Sequence, residues 1–184
     1  MDRQLGEFVL RDWREQDAPS LARYADNRKI WDCLRDLFPH PYRLEHAREF
    51  IRRAGAAEPR TVFAIATQTE AIGSIGLSLG QDVHRYTAEL GYWLAEPWWG
   101  RGIATRAVQA MVEYAFGELA VHRVHAEPFA PNLASARVLE KAGFSLEGRM
   151  RGSAYKDGST VDQWLYAIVN SQAAGTQAGG NSAR

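Results

Sequence analysis

The 184 residues suit one domain of ordinary size, with apolar residues at 46% and charged residues at 24%. Lysine plus arginine equals aspartate plus glutamate at 22 each, so net charge gives no argument for nucleic acid or an acidic membrane surface as a partner. Cys33 is the only cysteine, which excludes an internal disulfide and a multi-cysteine metal site. No apolar run approaches the roughly 20 residues of a membrane helix. The stretch MDRQLGEFVLRDW lacks the apolar core of a signal peptide, so a cytoplasmic protein is expected.

Residues 7–13 predict a short first strand. Residues 17–27 predict a helix with Leu21, Tyr24 and Ala25 on one side. A second helical region is expected from Arg28, broken by Phe38-Pro-His-Pro and resumed near Leu44, where Ala47, Phe50 and Ile51 recur at helical spacing. TVFAIAT at 61–67 is nearly all apolar, as in a strand covered on both faces. Ile75, Leu77 and Leu79 alternate with Gly76, Ser78 and Gly80. In the next run Tyr86, Ala88, Leu90, Tyr92 and Leu94 share one face, opposite Arg85, Thr87, Glu89, Gly91 and Trp93.

The clearest helix follows, with Ile103, Ala107, Met111 and Tyr114 as its apolar stripe and an end near Gly117. VHRVHAE at 121–127 predicts a short strand. Pro131-Asn132 opens a further helix, with Leu133, Ala136 and Leu139 inward and Gly143 as its stop. Residues 144–151 and 163–169 predict two closing strands, with Asp157-Gly158 as a hairpin signal between them. The order β-α-α-β-β-β-α-β-α-β-β is that of an α+β domain over 1–170 rather than a doubly wound one. SQAAGTQAGGNSAR, 171–184, reads as a flexible low-complexity tail.

EPWWGRGIATRAV, 96–108, places Gly100, Arg101 and Gly102 at the mouth of the clearest helix. A helix start has backbone N–H groups without intrahelical partners and the positive end of the dipole, and glycines let a ligand's oxygens approach. A phosphate or pyrophosphate suits such a mouth. No Gly-x-x-x-x-Gly-Lys-Ser/Thr string is present, and Thr105 stands where the third glycine of a dinucleotide fingerprint would be. A plain glycine turn remains the alternative at this level.

ELGYWLAEPWWGRGIATRAV, then PNLASARVLEKAGF, then EGRMRG…DG…VD, in that order, resembles the GNAT superfamily of N-acetyltransferases, and within it the RimJ/RimL branch. The resemblance covers roughly residues 7–169. It implies a GNAT fold, with a mixed, mostly antiparallel sheet of about six or seven strands flanked by about four helices. It also implies acetyl-CoA as co-substrate, no metal, and direct acetyl transfer to a primary amine on a protein N-terminus or a small molecule. A homodimer is compatible with it. The alternative on the same fold is a non-catalytic module that binds acyl-CoA.

The resemblance assigns Trp99, Gly100, Arg101, Gly102, Ile103, Ala104 and Thr105 to the pyrophosphate. Trp99 stands where the family pattern usually has a polar residue. Tyr92, Trp93 and Leu94 would lie along the pantetheine and the acetyl carbonyl, where a splayed strand offers free backbone groups. Asn132 and Ser135 would lie on the CoA side, with Asn132 also fitting an N-cap and Ser135 facing the departing thiolate. Many relatives carry a tyrosine acid four residues after that serine, and this chain has Leu139 there.

Glu89 is the candidate base, because the attacking amine must be neutral and ordinary amines have pKa values of about 8 to 10.4. A surface ion pair is the rival account of Glu89. Cys33, on a predicted helix among Trp31, Leu34 and Leu37, reads as a buried small hydrophobe rather than a nucleophile. His122 and His125 fall on opposite strand faces and make no metal pair with each other or with His84. Residues 31–50 would form the acceptor wall, which includes His40 and Glu45.

Overall fold

In the computed structural model, residues 2–171 are described. Strands β1 (Arg3–Leu5) and β2 (Phe8–Arg11) form a hairpin, and two helices follow, α1 (Ala18–Ala25) and the single turn α2 (Arg28–Trp31). After an irregular stretch, 32–43, come α3 (Leu44–Ala56), β3 (Val62–Ala66), β4 (Ala71–Leu79) and β5 (Thr87–Leu94). Helix α4 (Ile103–Glu118), β6 (Arg123–Ala126), α5 (Leu133–Lys141), β7 (Ser145–Lys156) and β8 (Ser159–Val169) complete the domain.

The eight strands form one sheet in the order β1-β2-β3-β4-β5-β6-β8-β7. Every pairing is antiparallel except β5 with β6, the pair joined through α4. A parallel pair needs a long crossover, and α4 supplies it. The stripe Ile103, Ala107, Met111 and Tyr114 is buried and packs with Phe63, Ile65, Ile75 and Leu90 on one face of the sheet. A second core on the other face holds Leu21, Ala25, Ala47 and Ile51 of α1 and α3 with Trp13 and Tyr42. Strand β3 is covered on both sides, as its continuous apolar run predicts: Phe63, Ala64, Ile65 and Ala66 are all fully buried.

A buried ion pair ties β2 to the start of α1. Arg11 Nη1 and Nη2 donate to Asp17 Oδ2 and Oδ1 at 2.7 and 2.8 Å, and the Arg14 amide donates to Oδ2 at 3.0 Å. A charged pair out of water stands only with such complete hydrogen bonding.

The structure departs from the sequence reading in several places. Among the described residues one sheet of eight strands is flanked by five α-helices, and the strand the sequence does not announce is β1, only Arg-Gln-Leu, too short to show any alternation. The helical region from Arg28 lasts one turn, capped by the Asn27 side chain accepting from Lys29 N at 2.9 Å. Cys33 therefore lies in the turn after α2, not on a helix. Tyr86 precedes β5 and is exposed, stacked on His122. Leu133, the first residue of α5, faces solvent, whereas Ala136 and Leu139 are buried.

The closing hairpin is longer than predicted. Its outer half is mostly polar, with the buried Lys156 at its tip, so it carries no apolar signature, but Asp157 and Gly158 both have positive φ (49° and 79°), as a tight hairpin turn requires. Of the proposed tail 171–184, residues 172–184 lie outside the described residues.

Candidate active site

The helix mouth follows from two glycines. Gly100 and Gly102 adopt φ of +75° and +71°, the left-handed region that a side chain disfavours, and the chain thereby turns sharply into α4. Gly102 is the N-cap and offers no side-chain acceptor, so the first amides, those of Ile103, Ala104 and Thr105, point out of the helix unpartnered. A Cβ on either glycine would meet nothing within 4 Å, so the space before these amides is open. Arg101 adds positive charge: its guanidinium lies 4.8 Å over the Trp98 ring and donates to the Pro97 carbonyl at 3.1 Å. Open space, oriented amides and a helix dipole suit a pyrophosphate.

The second feature is a gap in the sheet. Strand β5 pairs with β4 from Ala88 through Leu94, but with β6 only from Thr87 to Glu89. Thr87 O bonds Gly80 on the β4 side, and Tyr86 O accepts from His122 on the β6 side. By strand alternation, the backbone groups of Leu90, Tyr92 and Leu94 face the gap, and those of Glu89, Gly91 and Trp93 face β4. Trp99 donates its indole N–H to the Leu94 carbonyl at 2.6 Å, which occupies that acceptor and pins the loop before α4 to the gap. The Tyr92 N–H and C=O and the Leu94 N–H stay directed into it. A chain bearing amides, such as pantetheine, finds matching donors and acceptors there.

The notch has two walls. On the α4/α5 side, Tyr92 Oη lies 2.8 Å from Ser135 Oγ and 3.3 Å from the Ser135 carbonyl. Burial pushes the Tyr92 phenol up to about 12, against a smaller downward effect of the Ser135 hydrogen bond. The Asn132 carboxamide accepts from Ser135 N at 3.0 Å, so Asn132 is the N-cap of α5. Leu139 is fully buried in the core.

On the opposite wall stand Glu89, half-buried, and the exposed Gly91. Arg35, from the stretch after α2, donates to Glu89 Oε1 and lies 3.7 Å from Glu127 Oε2, and His125 Nε2 is 3.9 Å from Glu127 Oε1. Glu89 and His125 are register partners on β5 and β6. Trp93 sets its ring edge against Phe38 at 6.0 Å, so its side chain belongs to this wall while its backbone pairs with Ser74.

Sequence reasoning misses Arg35 and Glu127, and it weighs His125 only as a metal ligand. Arg35 comes from an irregular segment with no pattern, and only the β5/β6 register brings Glu127 near Glu89. His40 and Glu45 stand elsewhere. His40 pairs with Asp26 at 3.6 Å, Glu45 lies in the first turn of α3, and neither has a hydrogen bond or ion pair to Glu89.

The hairpin tip closes this wall from outside. Lys156 Nζ, nearly buried, donates to Asp36 Oδ1 at 2.7 Å and sits 3.3 Å over the Trp31 ring, and Arg28 pairs with Asp157. Burial raises the Cys33 thiol, which works against thiolate formation. Among the described residues no group of three or more His, Cys, Asp or Glu could hold a metal ion. No helix there is long and apolar enough to cross a membrane.

Residues 7–145 match the acetyltransferase (GNAT) domain model. The chain belongs to the GNAT acetyltransferase family. An uncharacterized N-acetyltransferase, p20 of Bacillus licheniformis, is 31% identical over 174 residues, covering 91% of this chain and 96% of that protein. The ribosomal-protein-serine acetyltransferase of Escherichia coli is 32% identical over 112 residues, covering 60% and 62%. Two Bacillus subtilis N-acetyltransferases match at 46% and 38% identity, and the chain spans only about half the length of each, 46% and 56%. Among solved structures, Mycobacterium smegmatis RimJ in complex with CoA-disulfide superposes with a TM-score of 0.78 at 25% identity, covering 90% of this chain and 83% of that one. The resemblance of the sequence motifs to the GNAT family, and the fold it implies, are thereby borne out.

Proposed function

We propose that the chain is an acetyl-CoA-dependent N-acetyltransferase acting on a primary amine by direct attack in a ternary complex. One observation carries the reading: the unpaired backbone edge of β5 at Tyr92 and Leu94 runs beside the open N-terminus of α4, with Glu89 on the far wall. Acetyl-CoA supplies the activated acyl group. The amides of Ile103, Ala104 and Thr105 with Arg101 would hold its pyrophosphate, and the Tyr92 and Leu94 backbone its pantetheine. Glu89, with Oε2 left over from its bond to Arg35, would take the amine proton directly or through water.

A peptide α-amine is the better acceptor class. Charge on this wall suits any amine, because Arg35 is shared between Glu89 and Glu127 and Arg28 between Asp32 and Asp157, which leaves the carboxylates in excess; the peptide class rests on the relatives. The name of the ribosomal-protein-serine acetyltransferase supports this class.

The buried Leu139, in place of a tyrosine acid, keeps a non-catalytic acyl-CoA module as the second reading. Release of CoA thiol from acetyl-CoA, measured with a panel of unblocked peptides, N-blocked peptides and polyamines, separates the two. Thiol release with unblocked peptides alone is expected. Tight CoA binding without thiol release under any acceptor establishes the module instead.

A further inference from the structure

The Tyr92 side chain is a feature that backbone binding of pantetheine does not explain. It projects from the splayed end of β5 across to the first turn of α5, and its hydroxyl meets Ser135 Oγ at 2.8 Å. The phenol has one proton and two acceptors in reach, Ser135 Oγ at 2.8 Å and the Ser135 carbonyl at 3.3 Å. The phenol is the more acidic of the two hydroxyls and the Oγ contact is the shorter, so we assign Tyr92 as donor to Ser135 Oγ, with the carbonyl as the competing acceptor. Ser135 Oγ then accepts from the phenol and keeps its own proton free for a third group. The Asn132 cap on Ser135 N holds the turn in place.

We propose that Tyr92 is a positioning residue for the acetyl transfer proposed above: by donating to Ser135 Oγ it turns the serine proton toward the departing CoA sulfur. The amine nitrogen's lone pair forms the C–N bond. The C–S bond breaks with its electron pair on sulfur, and the amine's proton passes to Glu89 or water. The thiolate leaves hydrogen-bonded to Ser135 O–H and collects a proton from solvent afterwards. No proton need leave Tyr92, whose buried phenol stays protonated through the neutral range. The pair does from β5 and α5 together what a tyrosine at position 139 cannot do in this chain, where Leu139 faces the core.

Two readouts test it on the full chain with Tyr92→Phe, Ser135→Ala and the double variant. The first is the thiol titration of bound CoA, followed by thiolate ultraviolet absorbance. In the wild type the bound thiol should titrate below free CoA, an ordinary thiol near about 8.5. Ser135→Ala should return it to the free value and Tyr92→Phe part of the way. The second is kcat with a fixed acceptor. Tyr92→Phe should lower it about fivefold, what one hydrogen bond is worth, with acetyl-CoA KM unchanged and no further loss in the double variant beyond Ser135→Ala. A Tyr92→Phe protein with wild-type thiol titration, or losses that multiply in the double variant, overturns the role of Tyr92. A wild-type chain that releases no CoA thiol with any amine overturns the transfer reading, and this proposal with it.

Discussion

Arg35 and Glu89, 54 positions apart, meet in an ion pair on the open wall of the β5 notch, with the guanidinium also 3.7 Å from Glu127. An exposed pair of this kind contributes little to stability. Its consequence is local: it holds one carboxylate oxygen of Glu89 and leaves the other toward the acceptor.

If Glu89 is the base, Glu89→Gln lowers kcat by about 10²–10⁴-fold, the usual worth of general-base help. Acetyl-CoA KM should barely change. The loss should shrink as pH rises toward the amine's own pKa of about 8, because the nucleophile then deprotonates unaided. Coincident kcat/KM profiles for the two proteins between neutral and alkaline pH would leave Glu89 a purely structural role.

At the helix mouth, Gly102→Val places a branched side chain at φ +71° and into the open space before the first amides. The strain should cost on the order of 1–2 kcal/mol of stability. Losing a contact to a charged phosphate should raise the acetyl-CoA KM about 10–100-fold. Calorimetric CoA affinity equal to wild type in the folded variant would remove the mouth from the site.

Kinetic order follows from Cys33, whose thiol is raised by burial and stands in a turn without an activating histidine bond. Double-reciprocal plots should intersect, and Cys33→Ala should keep kcat within about twofold, the scatter of a substitution at a half-buried position away from the reacting groups. Parallel lines, or acetyl trapped on Cys33 in a mass spectrum, point to a covalent route.

Asp17→Ala leaves Arg11 charged and buried without its partner. Such a break costs roughly 3–5 kcal/mol, so the urea midpoint should fall sharply. An unchanged midpoint would mean that water reaches Arg11 on its own.

Tyr42 and Tyr92 are both pushed up to about 12 by burial, from an ordinary value of 10.0. A raised folded value favours the protonated form, so their contribution to stability is complete below pH about 10 and is lost as pH rises toward about 12. Tyrosinate absorbance should show these two ionising last, together with alkaline unfolding. Tyr92→Phe should remove one of the late steps.

Local pattern carried much of this protein. The all-apolar β3, the stripe of α4, the Gly-Arg-Gly turn and the Asn132 cap each rest on neighbours within a few residues, so spacing and residue type suffice to read them. The family motifs belong to the same class, because a helix mouth and the strand before it are contiguous in the chain.

Tertiary structure decided the rest. That β5 leaves β6 after Glu89 depends on which strand lies beside which, and no local pattern encodes a loss of pairing. Tyr92 meets Ser135 across 43 positions, and Arg35 meets Glu89 across 54, through packing of α5 and of an irregular loop on the same strand. Side chains so far apart in sequence share a site only because the chain pays the entropy of closing those loops through two cores that have no part in the chemistry.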